Sequence, residues 1–245
     1  MNDRPKYDVA LSVFFPCYNE EANVEPLTKK TVDVLQRLVS DWEIILVNDG
    51  SKDGTAQVIN RLAAQDPRVR AVHHAKNGGY GAALQTGFKS ATKPLVFFTD
   101  GDGQFDVREI EKMLDRRGEA DIVCGYRQHR QDKLIRKVNS ACWAWLVKQM
   151  LQFRCRDVDG AFKLFKREIF DHIELKSTGA LISAEVLARS AHLGYTMIDV
   201  PVTHLPRTAG AATGAKFSVI FKAFKELLKL RKDILKKPAA TSRKA

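Results

Sequence analysis

Several features that would define a functional class are scarce or missing. Only four cysteines occur in 245 residues, Cys17, Cys124, Cys142 and Cys155. They lie far apart with no C-x-x-C pair, which argues against a zinc knuckle and a disulfide scaffold and reads as reduced, mostly buried thiols. The six histidines, His73, His74, His129, His172, His192 and His204, show no metal-ligand spacing and no recognisable Ser, His and Asp set. None is assigned a catalytic role, and the adjacent pair His73 and His74 would point to opposite faces of a strand. No apolar run approaches the roughly 18 residues of a membrane-spanning helix, and Met1 to Asp8 lacks the apolar stretch of a secretory signal. A cytoplasmic location is therefore expected. The glycine run Asn77-Gly78-Gly79-Tyr80-Gly81-Ala82-Ala83 fails as a dinucleotide fingerprint, because Leu84 stands where G-x-G-x-x-G needs glycine and no acidic ribose partner follows about 20 residues on. A nicotinamide-dependent dehydrogenase is thus excluded.

What is present is ordinary for a globular protein: 44% hydrophobic and 28% charged residues support a sizeable core and rule out disorder, collagen and coiled coil. The length suits one compact α/β unit with a small appendage. Charge is unevenly divided. Lys216 to Ala245 holds ten Lys or Arg against Glu226 and Asp233, so that segment carries eight of the chain's eleven net positive charges. The main body gives no sign of a polyanion partner, whereas the tail suits an acidic surface such as anionic lipid, and nucleic acid is the less favoured partner.

Short β-rich runs alternate with longer runs of helical period, the pattern of a mostly parallel sheet flanked by helices. Strands are predicted at Val9 to Phe15, Trp42 to Asn48, Val69 to His74, Leu95 to Thr99, Asp121 to Gly125, Phe162 to Phe165 and Thr196 to Val202. Helices are predicted at Glu20 to Leu38, Gly54 to Ala64, Tyr80 to Ser90, Val107 to Arg116, Leu134 to Leu151 and Leu181 to Leu193. In such sheets ligands sit beyond the carboxyl ends of the strands. Those positions read Pro16-Cys17-Tyr18-Asn19-Glu20, Asn48-Asp49-Gly50-Ser51 and Asp100-Gly101-Asp102-Gly103-Gln104.

The last run follows the apolar Leu95-Val96-Phe97-Phe98. Its carboxylates, two apart beside a permissive glycine, can face one cation that also holds phosphate oxygens, with Gln104 adding a neutral ligand; the structural alternative is a turn built from the residues turns prefer. Asp49, at the mouth of a buried strand, can accept from a nucleobase edge or a ribose, while Asp53 or Ser51 is expected to cap the following helix. The glycine-rich entry at Gly78 to Gly81 allows either close approach of a phosphate or tight helix packing. Arg127, Arg130, Lys133, Arg136 and Lys137 precede Trp143, Trp145, Leu146 and Met150. That combination suits an amphiphile with an anionic head, and equally a solvated loop before a core helix.

The tail has the clearest amphipathic pattern. Phe217, Ile220, Phe221, Phe224, Leu227, Leu228, Ile234 and Leu235 oppose Lys222, Lys225, Glu226, Lys229, Lys232, Asp233 and Lys236. A helix lying in a membrane interface is the preferred reading, because the lysine density exceeds what solubility needs; a helix packed on the domain or on a second subunit would carry the same stripe.

Taken in order, Pro16-Cys17-Tyr18-Asn19-Glu20-Glu21-Ala22-Asn23, Val47-Asn48-Asp49-Gly50-Ser51 through Gly54-Thr55, Asn77-Gly78-Gly79-Tyr80-Gly81-Ala82 and Asp100-Gly101-Asp102-Gly103-Gln104 resemble the family 2 glycosyltransferases of GT-A fold. Within that family the chain is similar to the branch of dolichyl-phosphate mannose synthase and the bacterial polyprenyl-phosphate glycosyltransferases, over roughly residues 9 to 210. Asp157-Val158-Asp159-Gly160-Ala161-Phe162-Lys163-Leu164-Phe165, Glu185, Val200-Pro201-Val202 and Arg207-Thr208-Ala209-Gly210 look like later motifs of the branch. The chain departs from the family pattern at Asn48, where a first Asp is frequent, at Lys163, where Arg is common, and at Ala212-Thr213, where Ser-Lys often follows. The resemblance implies an α/β GT-A domain at 1–210 and a basic amphipathic tail at 211–245. It implies inverting transfer from a UDP- or GDP-linked sugar to a polyprenyl phosphate at the cytoplasmic membrane face, with Mg²⁺ or Mn²⁺ as cofactor. Carried over by position, Pro16, Tyr18, Glu20 and Asp49 hold the nucleoside, and Asp100, Asp102 and Gln104 hold the metal and diphosphate. Arg127, Arg136, Lys163 and Arg207 meet the acceptor phosphate. Two other readings stay open: a family 2 enzyme with a glycan-hydroxyl or other lipid acceptor, and a non-catalytic nucleotide-binding module tethered by its tail.

Overall fold

A computed structural model describes residues 5–128, 134–206 and 217–236, with the side chains of 134–140, 217–223 and 236 outside that description. Seven strands, β1 (Tyr7–Cys17), β2 (Val39–Asn48), β3 (Val69–His73), β4 (Leu95–Thr99), β5 (Ile122–Gln128), β6 (Phe162–Lys166) and β7 (Met197–Thr203), form one sheet of order β3-β2-β1-β4-β6-β5-β7. All pairings are parallel except those of β6, which runs antiparallel to both β4 and β5. The helices are α1 (Glu21–Leu38), α2 (Thr55–Gln65), α3 (Tyr80–Ser90), α4 (Ile110–Asp115), preceded by a 3₁₀ turn at Val107–Glu109, α5 (Leu134–Leu151), α6 (Ile169–His172), α7 (Ile182–His192) and α8 (Phe217–Lys236).

The strands form where apolar β-formers cluster, as buried parallel strands require: Leu11, Val13, Phe14, Phe15 on β1 and Ile44, Ile45, Leu46, Val47 on β2 are all inaccessible, and the buried Ser12 among them donates to Glu43. Helix α1 turns Val24, Leu27, Thr28, Thr31, Val34, Leu35 and Leu38 inward at the i, i+3, i+4 spacing of an amphipathic helix. Between α3 and the sheet, the rings of Phe14, Phe88, Phe98, Phe165 and Phe170 pack with centroids 4.1 to 6.2 Å apart. Each fully buried ring contributes about 1.5–3 kcal/mol, and this cluster joins α3 to the strands on both sides of the β4–β6 reversal.

The tail helix is part of this body. Leu227, Leu230 and Ile234 of α8 are buried in the core, and the helix packs against α5 and α7. Phe224, Leu228 and Leu235 stay exposed, as does Trp145 of α5. Among the described residues no helix is long and apolar enough to cross a membrane.

Candidate active site

Because β1, β2, β3 and β4 are parallel, the loops that follow them open on the same edge of the sheet. Those after β1 and β2 are latched to each other by short side chains. The Asn19 amide donates to Ser51 Oγ (3.0 Å), the Lys52 amide to Asn19 Oδ1 (2.8 Å) and the Glu20 amide to Thr55 Oγ1 (2.9 Å). Asp53 accepts from the Thr55 amide at the start of α2 (3.1 Å) and from the Glu21 amide (3.3 Å). Asn48, the departure from the family pattern, is buried and accepts from the Ser51 amide (3.0 Å), which fixes the turn. Glu20 accepts from Asn23 Nδ2 (2.6 Å), while the Tyr18 ring is 41% exposed at the rim.

Asp49 is buried and turned inward. Its Oδ1 accepts from the Gly78 amide (2.8 Å), its Oδ2 from the Gly79 amide (2.9 Å), and His74 Nδ1 lies 2.7 Å from Oδ1. The carboxylate therefore organises the glycine loop that leads into α3. Gly79 has φ +93°, and a Cβ there would stand 2.7 Å from the Thr178 carbonyl oxygen; a Cβ on Gly81 would stand 2.4 Å from that of Ser177. Glycine here serves close packing of α3 on the 176–178 segment, and it delivers the Tyr80 hydroxyl to Asp100 Oδ1 at 2.9 Å.

The acidic turn after β4 folds onto the β1 loop: a Cβ on Gly101 would meet the Pro16 carbonyl oxygen at 2.9 Å. Asp102 Oδ1 accepts from the Gln104 amide (3.1 Å), and the Gln104 carboxamide donates to the Leu205 carbonyl (3.3 Å) beyond β7. Burial, and then the adjacent charge of Asp102, push the Asp100 carboxyl up to about 7, while the hydrogen bond from Tyr80 opposes the shift. The phenol of Tyr80 is in turn pushed up by burial and by the charges of Asp100, Asp102 and Asp159. Asp100 thus bonds the Tyr80 hydroxyl while the charges of Asp102 and Asp159 act on the same phenol, and bringing a divalent cation to this turn would relieve the repulsion between Asp100 and Asp102.

On the far side of this turn, Arg127 makes a two-pronged pair with Asp157 (Nε to Oδ2 2.7 Å, Nη2 to Oδ1 2.9 Å). Lys163 is buried beneath, donating to the Val158 carbonyl (3.1 Å) and to that of Gly160. Of the residues expected at the acceptor phosphate, these two are engaged in holding the Asp157–Gly160 turn; the side chains of Arg136 and Lys137, and Arg130, Lys133, Arg207 and Lys216 as a whole, lie outside the described residues. Beside that turn a cavity of about 260 Å³ is lined by Trp143, Val147, Val158, Asp159, Leu181 and Ala184. The site residues that sequence reasoning missed are His74, Tyr80 and Asp157. Tyr80 carried a signal, since it directly follows the glycine pair at a helix start, and so did Asp157, which opens a motif of the branch; His74 acts through a contact that only the fold creates.

Residues 12–174 match the family described as Glycosyl transferase family 2. Similar curated proteins include dodecaprenyl-phosphate galacturonate synthase of Rhizobium johnstonii, 31% identical over 70% of this chain and 52% of the relative. Undecaprenyl-phosphate 4-deoxy-4-formamido-L-arabinose transferase of Pectobacterium carotovorum is 30% identical over 92% of this chain and 66% of the relative. Glycosyltransferase AglD of Haloferax volcanii is 30% identical over 81% of this chain and 34% of the relative. The chain thus spans between about a third and two thirds of the length of these relatives. Among solved structures, glucosyl-3-phosphoglycerate synthase from Mycobacterium tuberculosis, in complex with Mn²⁺, uridine diphosphate and glucosyl-3-phosphoglycerate, superposes with a TM-score of 0.67 at 16% identity, covering 94% of this chain and 81% of that one. That likeness is one of fold, and the fold is the GT-A arrangement expected from the motifs. With a match over well more than half its length and the motif loops brought to one edge of the sheet, the chain belongs to glycosyl transferase family 2.

Proposed function

We propose that the protein transfers a sugar, with inversion, from a UDP- or GDP-linked donor to a polyprenyl phosphate at the cytoplasmic face of a membrane, using Mg²⁺ or Mn²⁺. The observation that carries this reading is the pair of carboxylates, Asp100 and Asp102, at the carboxyl end of β4, supported by Tyr80 and facing the latched loops of β1 and β2. Asp100, Asp102 and Gln104 would hold the cation, an all-oxygen set that suits these metals. The ion, when bound, neutralises the charge that develops on the leaving diphosphate. Tyr80 favours the charged form of Asp100 by donating to it. Gln104 is steadied by Leu205, so its carboxamide oxygen is the ligand end. Pro16, Tyr18 and Glu20 line the nucleoside side, with the exposed Tyr18 ring offering an aromatic face, and Asp49 acts by holding the Gly78–Gly79 loop in place.

The acceptor class is supported by two relatives named for dodecaprenyl- and undecaprenyl-phosphate chemistry, and by the surface of α8. Phe224, Leu228 and Leu235 fall on one helical stripe beside, and separate from, the buried stripe of Leu227, Leu230 and Ile234, with Lys225, Lys229 and Lys232 next to them. One stripe anchors the helix to residues 1–210, and the other, with its lysines, meets anionic lipid. A lipid phosphate, with a second pKa of about 6, is largely dianionic at neutral pH, so no side chain has to act as a strong general base. Arg127, Lys163 and the Asp157–Gly160 turn form the wall on the acceptor side.

Nucleotide release from a panel of UDP- and GDP-sugars, with and without polyprenyl phosphate and divalent metal, tests donor, acceptor and cation together. Release is expected only when phosphate-bearing lipid and metal are both present. Equal release with the free polyprenol would sink the acceptor assignment, and donor binding without turnover across acceptors would favour a tethered binding module.

A further inference from the structure

Across the β4-β6-β5-β7 part of the sheet, the cross-strand register places Phe98, Lys163, Cys124 and Asp199 in one row on the same face. Cys155, in the loop after α5, comes down onto the end of that row, its Sγ 3.7 Å from Asp199 Oδ1. One ligand atom from each of Cys124, Cys155 and Asp199 lies within 4.8 Å of the other two. Both thiols are buried, Asp199 is exposed, and the Arg156 amide donates to Asp199 Oδ1 at 3.0 Å, which holds that carboxylate over the thiols. Neither the nucleotide loops nor the acidic turn uses any of these groups.

We propose that Cys124, Cys155 and Asp199 form a second metal site, for a soft divalent cation of the zinc class, with solvent as fourth ligand on the exposed Asp199 side. Ligands of a tetrahedral zinc stand about 3.5 to 4 Å apart, so the three groups need only a small contraction. Two thiolates and a carboxylate around a divalent ion leave one negative charge, and the ammonium of Lys163, the cross-strand neighbour of Cys124, matches it. Thiolate ligands select zinc over the hard ions suited to Asp100, Asp102 and Gln104, so the two sites take different metals from one solution. The ion would staple β5, β7 and the loop that runs into Asp157, and so fix the carboxylate that holds Arg127.

Cobalt(II) is the probe, added to the reduced full-length chain under exclusion of oxygen. The expected result is a near-ultraviolet sulfur-to-cobalt charge-transfer band that saturates at one cobalt per chain and is bleached by zinc. Cys124→Ser and Cys155→Ser should each lose the band, Asp199→Asn should weaken cobalt binding by about tenfold or more, and Cys17→Ser and Cys142→Ser should keep it. Cobalt at the acidic turn has only oxygen ligands and gives no such band, so this readout is independent of the proposed transfer reaction. Should the serine variants fail to fold, alkylation of the wild-type chain decides: zinc should slow iodoacetamide at Cys124 and Cys155 but not at the exposed Cys142. No band in the wild type, a band that survives Cys155→Ser, or equal alkylation with and without zinc would overturn the proposal.

Discussion

On the β3-β2-β1-β4 side of the sheet the loops are held by short side chains gripping backbone amides: Asn19 on Lys52, Asn48 on Ser51, Asp49 on Gly78 and Gly79, Asp53 on Thr55. On the β6-β5-β7 side such grips recur, Asp121 on Thr196 and Asp199 on Arg156, and ion pairs of long arms are added to them, Arg127 with Asp157 and Arg189 with Glu185 and Asp233. Short polar side chains lose little rotamer freedom and need one partner, so these loops are fixed without a ligand. Buried ion pairs must keep both partners to avoid stranding a charge. The β6-β5-β7 side therefore leans on a few pairs that cannot lose one member, and one of them, Arg189 with Asp233, adds to the buried Leu227, Leu230 and Ile234 in holding the tail helix.

The largest expected effect lies at the seam between the sides. Asp102→Asn removes one charge while keeping the shape, and should lower kcat about a thousandfold or more, with nucleotide release at saturating donor and lipid as the measurement. Chelation of the wild-type enzyme should give a comparable loss that Mn²⁺ or Mg²⁺ restores. A drop of less than about tenfold would place the cation elsewhere and dissolve the seam.

The same contrast governs what was legible in the sequence. All seven strands were read, β4 with matching bounds and the other six within three residues at each end, and α3 and α5 with matching bounds, because apolar runs and helical period are local properties. The four residues of α6 are too few to show a period. Asp100, Gly101 and Asp102 were legible because an acidic, glycine-bearing turn follows a fully apolar strand. Neither the antiparallel entry of β6, which buries Lys163 beside Phe98, nor the inward turn of Asp49 onto two amides could be read, since each depends on which strand becomes whose neighbour. The split of the tail's apolar residues into a buried and an exposed stripe likewise depends on where α5 and α7 lie.

Arg189→Met probes the next largest effect. Glu185 is inaccessible and accepts from the amides of Lys176 and Ser177 as well as from Arg189, which reaches on to Asp233 of α8 at 2.5 Å. Removing the guanidinium strands a buried carboxylate at a cost of about 3 kcal/mol, a fall of roughly 6 to 12 °C in Tm by thermal melt. Affinity for donor should not change, because the nucleotide loops have their own latches. A loss of donor affinity equal to the loss of stability would show that the two sides are not separable.

Acid isolates the Arg127 pair. Against the upward push of burial, the Arg127 guanidinium holds the Asp157 carboxyl down to about 2. A depressed native pKa stabilises the fold at pH above the ordinary carboxylate range, and that contribution is lost as pH falls from about 4 toward 2. With Asp157 largely shielded from solvent, the stake is on the order of 2 kcal/mol. Denaturant unfolding of the wild type at stepped pH should show this loss, and in Arg127→Met the step should shrink. An unchanged step would assign the acid sensitivity to other carboxylates.

The smallest effect separates the two roles given to α8. Lys229 sits next to the exposed Leu228, one residue from the buried Leu230. If its charge serves the fold, Lys229→Gln should alter stability; if it serves a lipid surface, it should weaken binding to vesicles containing anionic lipid by about 1 kcal/mol, roughly fivefold, and leave neutral vesicles and Tm unchanged. Added salt should shrink the difference, since exposed charges are screened beyond about 10 Å at 0.1 M. A fivefold loss on neutral vesicles as well would trace the effect to the apolar stripe, and the lysines would then be solvated bystanders on a helix whose main contact is the domain beneath it.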